Sequence, residues 1–114
     1  MIELLAVIAI IGLLAAIAIP QFAEYRAKSF RSRATTDLRH LATAEEAYFV
    51  DYQAYRSCKD STCVSNFPGF MKLSQGITIQ ITATSTGFTG TAGHPQLDSI
   101  CRWDNSQAGF LGCS

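Results

Sequence analysis

Met1–Phe22 reads MIELLAVIAIIGLLAAIAIPQF. From Leu4 to Ile19 no side chain is charged or strongly polar, and Gly12 alone interrupts a run of Leu, Ile, Val and Ala. Eleven large aliphatics lie between Ile2 and Ile19. At roughly 1.5–3 kcal/mol each, their burial demand is on the order of 16–33 kcal/mol. That exceeds the net stability of a small domain, typically about 5–15 kcal/mol. The stretch must lie in a bilayer, in the middle of an oligomer, or in each at different times.

Three readings compete. A cleaved secretory signal fits poorly, because there is no basic n-region, the apolar run is long, and a helical pattern follows at once. A helix apolar all round needs a large protein about it, and this chain has 114 residues. As a membrane helix, Leu4–Ile19 spans about 24 Å, short of a hydrocarbon core of ~30 Å. Extending the span to Met1–Ala23 closes the gap while taking in Glu3 and Pro20. The membrane reading wins.

Three residues break the pattern. Glu3 is either a first-turn acid favoured by the helix dipole or a carboxylate awaiting a buried cationic partner. Pro20 offers no N–H to the carbonyl of Ala16 and crowds that turn. Gly12 weakens a helix by up to about 1 kcal/mol relative to Ala. Residues 12–20 are where the helix is expected to kink or unwind.

From Ala23 the chain turns polar but stays helical in pattern. Ala34, Leu38, Leu41, Glu45, Tyr48, Tyr52 and Tyr55 recur at spacings of three and four, with Ala27, Phe30, Ala42 and Phe49 broadening the face. No Gly or Pro falls in Gln21–Ser57, so one helix is expected to run from the membrane through residues 23–57. Some 35 residues make roughly 50 Å of helix, which needs a partner surface along much of its length. The formal net charge is zero, yet Arg26, Lys28, Arg31, Arg33 and Arg39 cluster on this helix. They read as a solvated face or a basic juxtamembrane anchor. Nucleic acid is possible but not indicated, because no aromatic interleaving or nucleic-acid fold accompanies the charge. The aromatics Phe22, Tyr25, Phe30, Tyr48, Phe49, Tyr52 and Tyr55 read as packing residues before they read as an electron path.

Residues 58–114 form the globular part. Ser57–Gln75 is loop-rich, with Pro68–Gly69 marking a turn. Gly76–Thr84 (GITIQITAT) sets Ile77, Ile79, Ile81 and Ala83 against Thr78, Gln80, Thr82 and Thr84, the strongest strand signal in the chain. Phe88–Ala92, Ile100–Trp103 and Phe110–Cys113 follow as strand candidates. The expected fold class is α+β: a long N-terminal helix packed against a small antiparallel sheet of three or four strands.

Four cysteines, Cys58, Cys63, Cys101 and Cys113, imply two disulfides in an oxidising compartment. Zinc is the weaker reading, since no CxxC pair is present and His40 and His94 lack ligand spacing. Pairing 58 with 63 and 101 with 113 closes two small loops, and the other two connectivities stay open. The positive-inside rule would put the basic flank in the cytoplasm, and the cysteines argue for the opposite side. No catalytic motif or cofactor is implied. His94, Asp98 and Ser99 are neighbours in sequence, which rarely gives triad geometry, and adjacent Glu45 and Glu46 point to different sides of a helix.

IELLAVIAIIGLLAAIAIPQF closely resembles the N-terminal helix of type IV pilins, which the pseudopilins of type II secretion share. The acid, the Gly–Pro spacing and the terminal PQF all fall in place over about twenty-two residues. The resemblance implies a structural subunit rather than an enzyme. Such a subunit passes from the inner membrane, with its globular part periplasmic, into an extracellular helical homopolymer serving motility, adhesion or uptake. It implies a prepilin peptidase and an assembly machinery as partners, with a methylated N-terminal residue. Glu3 would correspond to the acid that neutralises a neighbouring subunit's N-terminal amine, and Gly12–Pro20 to the stretch that loses helix in filaments. In the family the acid stands two places further from the mature N-terminus than Glu3 stands from Met1. The methylated residue and the leader are therefore expected to lie before Met1. A C-terminal disulfide loop, here Cys101 with Cys113, is what many of these pilins carry. The pseudopilin alternative would bring calcium near the C-terminus. Asp98, Asp104 and Asn105 offer oxygens there, without a calcium-loop spacing. A minor or DNA-uptake pilin is a further alternative.

Overall fold

The computed structural model describes residues 1–70 and 72–114. The first element, α1, is a 51-residue helix, Ile2–Tyr52. It is followed by β1 (Cys58–Lys59), α2 (Ser61–Asn66), β2 (Thr78–Ala83), β3 (Phe88–Gly93), β4 (Cys101–Asp104) and β5 (Gly109–Cys113). All five strands make one sheet in chain order, each antiparallel to the next. The architecture is the expected α+β, with five strands instead of three or four.

Two expectations are corrected. The helix ends at Tyr52, five residues before Ser57, without a glycine. Gln53 takes the left-handed conformation (φ 56°) and donates its backbone N–H to the Phe49 carbonyl at 2.8 Å. Its side-chain Nε2 donates to the carbonyls of Phe49 (3.2 Å) and Val50 (3.3 Å), so one residue satisfies groups that a helix end leaves free. The second correction lies in the stretch 57–75, which carries β1 and α2 besides loops; Met71 lies outside the described residues. Asp60 organises this part: its backbone N–H and its Oδ1 engage the Ile79 carbonyl and N–H, both at 2.9 Å, holding β1 against the edge of β2.

Helix and sheet meet along the second half of α1. Ala34, Leu38, Leu41 and Ala42 are buried from the helix side. Ile77 at the approach to β2, Ile79 and Ile81 on it, and Phe88 and Ala92 on β3 are buried from the sheet side, the alternation their sequence implies. Phe67 and Phe70 close the core from the loop. Gly90 on β3 lets the layers approach closely. A Cβ there would lie 2.9 Å from Leu38 Cδ1 and 2.7 Å from Ile81 Cδ1. One buried polar contact ties the helix to the loop before β2: Asp37 accepts from the Ser74 N–H (2.8 Å) and hydroxyl (2.9 Å).

Cys58 pairs with Cys63 and Cys101 with Cys113. The second bridge joins facing positions of β4 and β5, where Cys101 and Cys113 are register partners. The turn between those strands is held by Asp104, which accepts from the Ser106 N–H (2.9 Å), the Ser106 hydroxyl (2.6 Å) and Gln107 Nε2 (3.1 Å).

Candidate assembly surface

Among the described residues, the first half of α1 has no partner within the chain. Every residue from Met1 to Arg26 is exposed, and the large aliphatics Leu4, Leu5, Ile8, Ile11, Leu14, Ile17 and Ile19 all stand clear of the globular part. This helix is long and apolar enough to cross a membrane, and its apolar window is wholly unburied. The chain measures 75 × 26 × 18 Å, and the long dimension is set by this projection.

Glu3 lies in the first turn and is exposed. Gly12 and Pro20 both lie within the continuous helix, so α1 runs through the segment where a kink or unwinding was expected. A Cβ at Gly12 would meet nothing within 4 Å, so its smallness answers no contact among the described residues.

At the far end of the helix the geometry differs from the sequence expectation. Tyr55 shares the apolar face but stands outside the helix. Its ring stacks on Phe49 (4.7 Å between centroids, 19°) and lies 5.0 Å from Phe88. Its hydroxyl donates to Glu46 at 3.2–3.3 Å. Burial, then the charge of Glu46, pushes the phenol up from its ordinary pKa. Glu45, fully buried, accepts the Arg56 N–H through Oε2 at 3.0 Å, and its Oε1 has no partner among the described residues. Its carboxyl is pushed up to about 7, chiefly by burial. The Arg56 N–H pulls it down and Glu46 adds to the rise. These two acids tie the segment after the helix to its last turns.

The remaining sequence candidates serve the fold. His94 accepts the Gln96 N–H at Nδ1 (3.1 Å) and stacks flat on Phe30 (3.9 Å, 8°), so its acceptor nitrogen is engaged away from Asp98 and Ser99. Asp104 holds its own turn, where the Ser106 hydroxyl and N–H, partly offset by burial, keep its carboxyl below the usual range. Asn105 Oδ1 accepts the Phe88 N–H at 2.8 Å. Among the described residues no group of three or more His, Cys, Asp or Glu is arranged to hold a metal. The helical aromatics fall into separate contacts, with Tyr48 on Tyr52 (4.5 Å) and Phe67 (5.7 Å), and Phe49 on Tyr55. Sequence reading missed Asp37, whose partner Ser74 is 37 residues away.

No protein-family model matches the chain. It is 49% identical over 55 residues to the type IV major pilin protein PilA of Myxococcus xanthus, covering 48% of this chain and 25% of that protein. It is 42% identical over 66 residues to the type IV major fimbrial protein FimA of Dichelobacter nodosus, covering 58% and 42%. With a fimbrial protein of Pseudomonas aeruginosa it shares 47% over 51 residues, covering 45% and 33%. The chain thus spans less than half the length of each of these curated relatives. An apolar helix that projects unburied from a sheet-covered half, in a chain 42–49% identical over 51–66 residues to proteins named pilin or fimbrial protein, supports a type IV pilin.

Proposed function

We propose that this chain is a structural subunit of a type IV pilus, polymerising through residues 1–22 into an extracellular filament. One observation carries the reading: an apolar helical segment with no burial inside its own chain, continuous with a helix half that the sheet covers. Before assembly the bilayer is solvent for Leu4–Ile19. Afterwards the same side chains of neighbouring subunits replace it, so the burial demand is met twice by different surroundings. The two disulfides support a globular part that resides in an oxidising compartment, periplasmic first and extracellular later. The names of the relatives, major pilin and fimbrial protein, favour a pilus over a secretion pseudopilin.

In this reading Glu3 neutralises the N-terminal amine of an adjacent subunit as both leave the lipid. An unpaired carboxylate inside an apolar bundle is costly, and pairing removes that cost. A prepilin peptidase that processes the N-terminus, with methylation there, and an inner-membrane assembly machinery complete the set of partners. Glu3→Ala is expected to leave the chain membrane-inserted while reducing sheared filaments at least about tenfold, the effect of some 1.4 kcal/mol per docking step. Filament yield from sheared cells, compared with chain in the membrane fraction, reads this directly. Normal filaments from the variant would remove Glu3 from the assembly step.

A further inference from the structure

A groove of about 450 Å³ lies where the globular part begins, between α1 and the loops around Gly76 and His94. Arg26, Ser29, Phe30 and Arg33 border it from the helix, His94 and Gln96 from the opposite side. Phe30 and His94 stack flat on each other within its lining. The guanidinium of Arg26 lies 5.7 Å from the Phe30 ring centroid and that of Arg33 lies 5.5 Å away. Arg33 belongs one turn above Phe30, and helical side chains lean toward the N-terminus, so both cations converge on one ring. A guanidinium held against an aromatic ring keeps N–H groups for a second partner. Gly76 makes room for the imidazole, because a Cβ there would collide with the ring. His94 Nδ1 accepts the Gln96 N–H at 3.1 Å. Among the described residues bordering the groove none is acidic.

The charge of the groove and the level of its lower edge bear on its occupant. Arg26, at the lower edge, stands four residues, about 6 Å, beyond Phe22 along the axis, and Phe30 and Arg33 stand about 12 and 16 Å beyond it, so the groove opens upward from that edge. A headgroup layer is roughly 5–8 Å deep on each side of the hydrocarbon core. We propose that this groove binds the phosphate of an anionic phospholipid headgroup while residues 1–22 occupy the bilayer, fixing the depth and rotation of the subunit before assembly. The proposal rests on the membrane stage described above. It differs from a diffuse basic anchor, because Lys28, Arg31 and Arg39 carry the same charge around a separate depression.

The full chain, purified in zwitterionic detergent, is titrated with phosphatidylglycerol or phosphatidylcholine, and bound lipid is counted by native mass spectrometry. The wild type is expected to prefer phosphatidylglycerol by about tenfold, and Arg26→Gln with Arg33→Gln to abolish the preference. Lys28→Gln with Arg31→Gln, an equal loss of charge, is expected to keep it within about twofold. Ser29→Glu, which sets a carboxylate in the groove with both arginines present, should abolish it as well. Thermal unfolding of each variant checks that the fold is intact. Equal binding of the two lipids, equal losses in both double variants, or full displacement by millimolar inorganic phosphate would each overturn the assignment. Carbonate extraction of membranes reads insertion separately, so an inserted chain indifferent to headgroup charge refutes the groove and leaves the membrane stage standing.

Discussion

Glu45 stands on the helix face that also carries Ala34, Leu38 and Leu41, and like them it is wholly buried. With its carboxyl pushed up to about 7, chiefly by burial, it binds its proton more tightly in the folded chain than in the unfolded one. The folded state then holds more protons between the ordinary carboxylate pKa and about 7. Its contribution to stability is complete below the ordinary value and is lost as pH rises through 7. The change amounts to roughly 1–3 kcal/mol. Glu45→Gln keeps an acceptor for the Arg56 N–H and removes the titration. The variant is expected to be more stable than wild type at pH 8, with a smaller difference at pH 5, in chemical denaturation of the full chain in detergent. A constant difference across that range would show that the carboxyl stays ionised in the fold. The periodicity already put Glu45 on the packing face. Its ionisation was illegible, because burial and the Arg56 contact come from a segment beyond the helix. Asp37 was hidden for the same reason: nothing near it in sequence announces Ser74.

Among the elements, those whose order is local were readable. The isoleucine alternation of β2 translates directly into buried and exposed faces, and the span from Ile2 into the amphipathic half is one helix. Features that depend on distant partners were not. β1 is two residues long and exists because Asp60 and the Cys58–Cys63 bridge hold it at the free edge of β2. The helix stop at Gln53 uses a side chain where glycine is the usual signal. Residues 12–20 are helical in the isolated chain, and we propose that they loosen in the filament, where Pro20 leaves the Ala16 carbonyl without its donor. Pro20→Ala should restore that hydrogen bond. Solid-state NMR shifts of filaments are expected to show non-helical values around residues 12–20 in wild type and helical ones in the variant. Helical values throughout the wild-type filament would exclude the loosening. In the sheet, Cys101–Cys113 closes the longer of the two bridged loops. Replacing both of its cysteines by serine should cost about 3 kcal/mol, against about 2 kcal/mol for the Cys58–Cys63 pair, in denaturant titrations. The reverse order would mean that β4–β5 pairing holds the loop closed without the bridge.

The whole molecule is a rod joined to a small sheet domain, 75 Å in its long dimension. The sheet and the second half of α1 bury one core, whereas every residue of Met1–Phe22 is exposed. In the proposed filament the exposed apolar segment is the connection to other copies, and the sheet with its bridged C-terminal loop faces outward. The central claim is that residues 1–22 of many copies bundle at a filament axis, and one measurement addresses it most directly. Filaments sheared from cells that express this chain are identified by mass spectrometry and imaged by electron cryo-microscopy. The account predicts this chain as the repeating subunit, with Leu4–Ile19 packed against the same segment of neighbouring copies at the core and the five-stranded sheet at the surface. Filaments built with the sheet inside and Leu4–Ile19 outside, or no filament containing this chain, would contradict it.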